Sequence, residues 1–320
     1  MYNINWNILF TTSSGKKYQL NLLSELEINK SVDLLSDTAT ISLPASVMNK
    51  TLVIEDKIKK GDGISISLGY NGNLKEEFTG YINQIHPSDG SLTIDCQDEL
   101  FILKKPVINK ELKKVSVKQI VNYVLEHIPC ALKLNCTLDI MYDKFVVHQA
   151  TGYEILKKLQ EEAKANIFIK DNSLHIHPPY IEKGGEVQYD FYRNIEKTNL
   201  TYKRKEGDNV QINVTTQTED GKIHTSSAGI SGGEQHNLTV SSISKNGIES
   251  IANNELDKHL FDGYEGSFTT WLVPHVSPTY TATIMDKNYP YKNGKYYVIS
   301  VKTSISPSGG ERVITLGKKL

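Results

Sequence analysis

The sequence contains few cysteines and none of the spacings that bind structural metals or build disulfide frameworks. Only Cys96, Cys130 and Cys136 occur among 320 residues, and no two of them have Cys-x-x-Cys spacing. An odd count without paired spacing argues against both a disulfide-stapled fold and a zinc site. We therefore expect no metal and no cofactor, and we interpret Cys96 as a small core residue.

Long apolar runs and an excess of one charge are also missing. No stretch approaches the roughly 20 apolar residues of a membrane-spanning helix, and the first residues lack the basic and apolar parts of a signal peptide. We thus expect no membrane partner and synthesis in a reducing cytoplasm. The 36 basic and 37 acidic residues nearly cancel, so no overall field directs the chain toward nucleic acid.

Catalytic signatures are absent from the sequence or poorly placed in it. No Walker loop, His-Glu-x-x-His or Gly-x-Gly-x-x-Gly motif occurs. Ser231 lies in a formal Gly-x-Ser-x-Gly match, but that match falls in a polar loop between predicted strands. The carboxylate pairs Glu76-Glu77 and Glu161-Glu162 diverge along their elements, so we interpret them as solvated. We predict no catalytic residue and no enzyme activity.

Two histidines could supply two of the ligands that a metal ion needs. His175 and His177 alternate onto one face of a predicted strand, as a two-histidine metal pair would. The sequence places no third histidine, cysteine or carboxylate beside them. Surface or packing roles are therefore the favoured interpretation.

Alternating apolar and polar residues fill the two ends of the chain. Residues 1–105 contain runs such as Ile64, Ile66 and Leu68, and residues 186–320 contain similar runs. A period of two with one polar face predicts antiparallel sheets that bury one side. The two ends are therefore predicted to be strand-rich.

Helical signals fill the segment between them, residues 106–185. Ser116 is placed as the N-cap of one helix, and Thr151-x-x-Glu154 predicts a capping box for the next. A hairpin around Asp171-Asn172 follows. A further box-like start at Asn246-x-x-Glu249 predicts a helix over 247–262 in the last segment, with Gly263 as its stop.

The last strands echo the first third of the chain. Gly63-Ile-Ser-Ile-Ser-Leu, Phe78-Thr-Gly-Tyr-Ile and Pro87-Ser-Asp-Gly find counterparts in Tyr280-Thr-Ala-Thr-Ile-Met, Gly294-Lys-Tyr-Tyr-Val-Ile and Pro307-Ser-Gly-Gly. Such an echo predicts a repeated unit. The expected fold is mainly β with α+β: two similar antiparallel β-barrel domains, 1–105 and 186–320, separated by the small α+β domain 106–185. The helix 247–262 is expected inside the second barrel.

Particular runs resemble a known family. Lys60-Gly-Asp-Gly-Ile-Ser-Ile-Ser-Leu and Ile94-Asp-Cys-Gln-Asp-Glu-Leu-Phe-Ile-Leu resemble the first domain of the baseplate hub proteins of contractile phage tails, the tail hub or late control protein D family. Gly152-Tyr-Glu-Ile-Leu-Lys-Lys-Leu-Gln is similar to the middle domain of that family. Gly294-Lys-Tyr-Tyr-Val-Ile-Ser-Val and Ser308-Gly-Gly-Glu-Arg-Val-Ile-Thr-Leu-Gly look like its closing barrel. The pattern spans nearly the whole chain.

The resemblance implies a structural role in a phage, a prophage or a related contractile injection system. It implies a homotrimeric ring that joins a sixfold tail tube protein to a threefold central spike protein, with DNA present only in transit through the channel. The expected location is the virion tail baseplate, after assembly in the host cytoplasm. Two alternatives stay open: a tail-associated cell-wall hydrolase and a carbohydrate-binding tail-tip adhesin.

Small hydroxyl residues on the polar faces of the echoed strands are candidates for the wall of that channel. A channel that conducts DNA needs small polar walls that do not bind phosphate tightly. The candidate channel-lining residues are Ser65, Ser67, Thr281 and Thr283.

Overall fold

The computed structural model describes residues 3–44, 57–88, 91–204, 209–217 and 221–320. Across these ranges the chain is mainly β, with three α-helices, which confirms the predicted class. No helix within them is long and apolar enough to cross a membrane. The predicted turn at Asp89-Gly90, part of the first Pro-Ser-x-Gly sequence, lies outside the described residues.

The first segment consists of strands that alternate between a buried and a polar face. Its described strands are β1 Ile4–Thr11, β2 Lys17–Leu20, β3 Glu25–Ser31, β4 Thr38–Pro44, β5 Gly63–Tyr70, β6 Asn73–Ser88 and β7 Ser91–Gln97. In β5, Ile64, Ile66 and Leu68 are buried while the serines between them are half-buried. The predicted period of two is therefore confirmed here. A short 3-10 helix, Glu99–Leu103, follows β7.

The middle segment contains the two helices that the capping signals predict. Its elements are β8 Lys110–Ser116, α1 Val117–His127, β9 Lys133–Cys136, β10 Met141–Val147, α2 Gly152–Ala163, β11 Asn166–Lys170 and β12 Ser173–His177. Ser116 and Thr151 each close a full capping box, with Gln119 and Glu154 as the reciprocal partners. β11 and β12 form the predicted hairpin around Asp171-Asn172.

The last segment is longer and more irregular. Its described elements are β13 Glu186–Asp190, β14 Lys197–Thr198, β15 Thr201–Lys203, β16 Val210–Gln217, β17 Ile223–Gly229, β18 Glu234–Ser241, α3 Lys245–His259, β19 Gly263–Thr270, β20 Thr281–Met285, β21 Gly294–Ser306 and β22 Gly309–Lys319. A 3-10 turn, Pro290–Lys292, precedes β21.

The predicted bounds of the last helix, 247–262, are wrong at both ends. Ser244 is the N-cap, and its hydroxyl accepts from the backbone N–H of Gly247, so Asn246 lies inside the first turn. The helix ends at His259, and Gly263 is the first residue of β19 rather than a helix stop. Asn246 and Ser244 both have side chains that suit an N-cap. Ile243 is bridged to Tyr142 in a strand conformation, so the helix begins directly after it, with Ser244 as the cap.

Fourteen of the described strands form one sheet. Its order is β14-β19-β22-β21-β3-β4-β7-β6-β5-β1-β2, with β15 also on β19, and with β13 on β20 and β20 on β21. The two strand-rich ends of the chain are therefore continuous through the pairing of β3 with β21. The pairings among the described strands follow an open path, so the layout as two barrels stays a prediction.

The buried apolar residues form three cores, and the largest of them spans more than one segment. One core lies mainly in the first segment and takes in Leu272 and Ile305 of the last segment, and one core lies within the last segment. The third joins the middle segment to β16, β18 and α3, through residues such as Val214, Ile248 and Ile251 that pack with Ile140 and Tyr142. The helix packs mainly on β16 and β17 of the last segment, and its buried face joins the core of the middle segment. Its place inside a second barrel stays a prediction. The residues just before the helix contact β10: Ile243 bridges Tyr142, and the Ser244 N–H donates to Met141 O at 2.9 Å.

Candidate assembly interface

Two equivalent three-stranded meanders organise the sheet. β5-β6-β7 and β20-β21-β22 are both antiparallel, and in each the long middle strand pairs first with the strand before it and then with the strand after it. Gly63 pairs with Tyr81 in the first meander, as Thr281 pairs with Tyr297 in the second. The echo seen in the sequence therefore falls on strands with the same neighbours.

The first meander has a distinctive kink in its middle strand. The Ile82 N–H donates to Asp62 O at 2.9 Å, and the Gly61 N–H donates to Ile82 O at 2.8 Å. Gly61 has a positive φ of 91°. The register with β7 then shifts between Ile82 and Gln84, as it does at a β-bulge.

The second meander repeats each of these details. The Val298 N–H donates to Tyr280 O at 2.9 Å, and the Thr279 N–H donates to Val298 O at 2.9 Å. Thr279 has a positive φ of 75°, a rare conformation for a β-branched residue. The register with β22 shifts between Val298 and Ser300. Shared bonds, a shared backbone conformation and a shared bulge make Val298 the counterpart of Ile82.

After the bulge, the second meander is completed by a strand from the first segment. Residues 300–305 of β21 pair with β3, with Val301 opposite Lys30 and Ile305 opposite Leu26. The Val32 N–H donates to Ile299 O at 3.0 Å and extends the junction to the bulge. One chain therefore already contains a junction between two units.

The corresponding edge of the first meander is open. Gln84–Ser88 of β6 pairs with β7 on one side, and on the other side no strand of the described ranges pairs with it. At the far end of the sheet, β14 and β15 pair with β19 and with no further described strand. Open sheet edges are templates for pairing with another chain.

A buried ion pair holds the two segments together beneath the junction. The side chains of Arg312 in β22 and Glu77 in β6 are 1% and 3% exposed. The guanidinium donates to both Glu77 oxygens, to Leu272 O at 3.0 Å and to Val276 O at 3.3 Å. Such multidentate bonding is what makes a buried ion pair tolerable.

The interpretation of Glu77 as a solvated carboxylate is therefore wrong. β5 pairs Ile66 with Phe78 and then Ser67 with Glu76, so Glu77 is the extra residue of a second bulge. The bulge turns its side chain inward, which an alternating pattern does not reveal. Of the second pair, Glu161 is exposed as expected, whereas the Glu162 side chain is only 14% exposed, so the interpretation is wrong for Glu162 as well.

His275 lies at the edge of this pair. Its Nε2 is 3.7 Å from Glu77 Oε1 and has no hydrogen-bond partner. Burial lowers the pKa of His275, and the Glu77 charge only partly opposes this effect. The imidazole is therefore neutral at pH 7, and Arg312 is the cation that neutralises Glu77.

The candidate channel-lining residues fall on the first strands of the two meanders. Ser65 and Ser67 lie on β5 and Thr283 lies on β20, all half-buried, whereas Thr281 is 7% exposed in the single chain. Ser65 and Thr283 are counterparts, because they lie two residues after Gly63 and Thr281 in the matched pairs. Whether they face a channel stays a prediction.

The other candidate sites are also located by the structure. Ser231 lies in a turn between β17 and β18, not at the strand-to-helix turn that a nucleophile elbow requires. His175 and His177 lie side by side on β12, and the chain brings Glu182 to within 3.4 Å of His177 Nε2. No sequence spacing indicated Glu182, since the intervening residues follow no regular period.

A cavity of about 350 Å³ lies where the three segments meet, and the carboxyl groups of Asp37, Asp98 and Glu182 line it. The Asp98 side chain accepts from Ser36 Oγ at 2.7 Å and from the Asp37 N–H at 2.8 Å. Burial raises the pKa of both Asp37 and Asp98, and the charge of Asp37 raises the pKa of Asp98 further. The pair therefore favours a state with at least one protonated carboxyl group over a state with two charges.

Comparisons with solved structures show which proteins share this fold. A tail protein from Neisseria meningitidis MC58 matches with a TM-score of 0.64 and 12% identity, over 98% of this chain and 97% of that chain. The 43 kDa tail protein of prophage MuSo2 from Shewanella oneidensis matches with a TM-score of 0.62 and 15% identity, over 98% and 97%.

A secretion protein shares the fold as well. It is an E. coli component of the type VI secretion system, described as structurally similar to the T4 bacteriophage tail proteins gp27 and gp5. It matches with a TM-score of 0.58 and 9% identity, over 94% of this chain and 75% of that chain. No protein-family model and no curated protein matches the sequence. Because the sequence identities are this low, the matches show a shared fold only. That fold extends along nearly the whole length of the chain.

The buried ion pair should dominate the stability of the junction. We predict that Glu77→Gln lowers the free energy of unfolding by about 3–5 kcal/mol, because Arg312 is left charged and buried without its partner. The double change Glu77→Gln with Arg312→Met should lose less than this single one. Urea unfolding followed by circular dichroism measures both.

A second ion pair across the same junction is the control. Glu27 and Lys302 join β3 to β21 at 2.7 Å, but both side chains are nearly half exposed. Glu27→Gln should therefore cost less than about 1 kcal/mol. An equal cost for Glu77→Gln and Glu27→Gln would contradict the role given to the buried pair.

The carboxyl pair should make stability fall as pH rises. The native chain holds a proton on Asp37 and Asp98 in a pH range where the unfolded chain, with carboxyl pKa values of about 4, has released it. The free energy of unfolding should decrease as pH rises from about 4 toward neutrality. Asp37→Asn removes one charge and should flatten this decrease, whereas Asp139→Asn, an exposed change, should not. Urea unfolding at pH 5 and pH 7.5 tests this, and an equal slope in all three proteins would refute it.

Proposed function

We propose that the chain is the structural hub of a contractile phage or prophage tail, a trimeric ring that joins a sixfold tail tube to a threefold central spike. The observation that carries this proposal is the repeated four-strand order in the sheet. β15, β19, β22 and β21 follow one another as β3, β4, β7 and β6 do. The two sets are already joined edge to edge inside one chain by β3 and β21.

The internal junction is a template for a junction between chains. β14 and β15 occupy the position in the second unit that β3 occupies in the first. The unpaired side of β14 and β15 therefore corresponds to the side of β3 that pairs with β21. In a second copy of the chain, the open edge Gln84–Ser88 corresponds to that part of β21. Repeating that contact places six similar units in three chains. A trimer of doubled units presents sixfold spacing to one neighbour and threefold spacing to the other, and a closed ring leaves no open edge.

The remaining parts of the proposal follow from that ring. The two strand-rich segments, 1–105 and 186–320, would form its barrels, and Ser65, Ser67, Thr281 and Thr283 would line its channel, through which DNA passes in transit. Thr281 would need to become accessible, since it is buried in the single chain. The partners would be a tail tube protein and a central spike protein, in a virion baseplate assembled in the host cytoplasm. The role is structural and involves no catalysis.

One surface with exposed aromatic rings bears on the adhesin alternative. Tyr289 and Tyr291 are exposed next to each other, as aromatic rings that bind sugars often are. The ammonium of Lys292 lies 4.4 Å from the centroid of the Tyr289 ring and 5.8 Å from that of Tyr291. Since the cation already interacts with both rings, the surface supports a carbohydrate platform only weakly.

The mass of the protein in solution tests the proposed ring. We expect light scattering to give three times the chain mass. Thr198→Asp with Thr201→Asp should give a single chain mass, because two exposed edge residues would become charges inside a strand junction. Circular dichroism should show that the variant stays folded.

The control alters a different edge. Thr225→Asp with Ser227→Asp places the same charges on β17, an outer strand of the three-stranded sheet that the proposed ring does not use. That variant should remain a trimer. A wild-type protein that stays monomeric at every concentration, or equal dissociation by both variants, would reject the ring.

A further inference from the structure

The hairpin of the middle segment, β11 and β12, has a polar face to which the proposed ring assigns no role. β12 is the central strand of a sheet ordered β11-β12-β9. Leu174 and Ile176 point from one face of β12 into the largest apolar core. His175 and His177 lie on the opposite face. The sheet is therefore apolar on one side and presents two adjacent imidazoles on the other.

Neighbouring strands flank the imidazoles in two rows. Asn135 and Phe168 pair with His175, and the Phe168 ring stacks on the His175 ring with centroids 4.9 Å apart. In the next row, Thr137 contacts His177 on one side and Asn166 pairs with it on the other. The stacking and the pairing restrict how the two rings can turn.

Two histidine nitrogens and one carboxylate oxygen follow one another in close contact at the end of these rows. His175 Nδ1 lies 3.3 Å from His177 Nε2, and His177 Nε2 lies 3.4 Å from Glu182 Oε1. Zinc binds histidine nitrogen and carboxylate oxygen at about 2.0–2.2 Å, so two ligands of one tetrahedral ion are about 3.3–3.6 Å apart. Both measured separations therefore equal the edge of such a tetrahedron.

The surroundings prepare His177 as a ligand. Its Nδ1 lies 2.7 Å from Thr137 Oγ1, a bond that orients the ring and leaves Nε2 directed at His175 and Glu182. A second partner of this kind is the usual support of a metal-bound histidine. Beside His177, the amide nitrogen of Asn166 is buried without a hydrogen-bond partner, although that residue is only 4% exposed. Because an amide nitrogen is a donor, this atom indicates a missing acceptor oxygen beside the histidines and is not itself a metal ligand.

We propose that His175 Nδ1, His177 Nε2 and Glu182 Oε1 bind a late first-row divalent metal ion, with Zn²⁺ as its representative and water in the fourth position. Imidazole and carboxylate are donors that such ions accept. Among the described residues, no group of three His, Cys, Asp or Glu side chains is placed to hold a metal ion as it stands. To complete the group, the Glu182 side chain, 37% exposed, would rotate toward His175. His175 Nδ1, which lies 3.3 Å from the amide nitrogen of Asn135, would exchange that contact for the ion.

Metal binding would fix the passage from the middle segment to the last one. Glu182 lies in the connection between β12 and β13, and two residues later the Gly184 N–H donates to Thr279 O at 3.1 Å. Thr279 is the positive-φ residue that opens the second meander. An ion on Glu182 would thus join the histidine sheet to the repeated unit. This inference does not depend on the proposed ring.

Calorimetric titration of the full chain with Zn²⁺ tests the site. We expect one ion per chain, and no comparable binding of Mg²⁺, which prefers oxygen ligands. His175→Ala and Glu182→Gln should each weaken Zn²⁺ binding at least about 10-fold, the lower limit for losing even an outer-shell partner. Both side chains are partly exposed, so both variants should fold.

A second pair of histidines supplies the control. The rings of His236 and His259 lie 4.7 Å apart, and Glu234 is next to His236, so they are the main competing site. His236→Ala should leave Zn²⁺ binding unchanged. Failure of the wild-type chain to bind Zn²⁺, or a loss in His236→Ala without one in His175→Ala, would overturn the proposal. Thermal unfolding should agree, with Zn²⁺ raising the Tm of the wild type and not of His175→Ala.

Discussion

The pairing of β3 with β21 is the interaction on which the rest of the structure depends. A strand edge that is neither paired nor solvated leaves backbone donors and acceptors unsatisfied, so a long middle strand such as β21 needs a neighbour after its bulge. The first segment supplies that neighbour, from Leu26 opposite Ile305 to Ser31 opposite Ser300. Beneath it, Arg312 and Glu77 bond across the same two segments. Sheet and ion pair therefore connect residues at opposite ends of the chain.

The elements outside the main sheet pack beside this junction and do not interrupt it. The middle segment and the β16–β18 sheet with α3 share a core that also includes Leu35, Leu100 and Leu103 of the first segment. None of these elements interrupts the strand order of the main sheet. The bulge after Ile82 and the one after Val298 place an equivalent edge in each unit. Only one of those edges has a strand partner within the described residues. The proposed assembly would complete the other.

Local signals in the sequence predicted much of this fold. The alternation of Ile64, Ile66 and Leu68 and the capping boxes of Ser116 and Thr151 each depend on residues a few positions apart, and the structure contains all of them. Contacts between distant residues left no such signal. Glu77 and Arg312 are 235 positions apart, and a bulge reverses the side of Glu77. The packing of α3 on the middle segment, and the approach of Glu182 to His177, likewise depend on how whole segments meet.

Backbone hydrogen exchange at the open edge tests the central claim most directly. If Gln84–Ser88 and β14 pair between chains, their outward amides should exchange slowly at concentrations where the protein is assembled. The same amides should exchange rapidly on dilution, while the amides between β3 and β21 stay protected throughout. Rapid exchange of Gln84–Ser88 and β14 in the assembled protein would contradict the account.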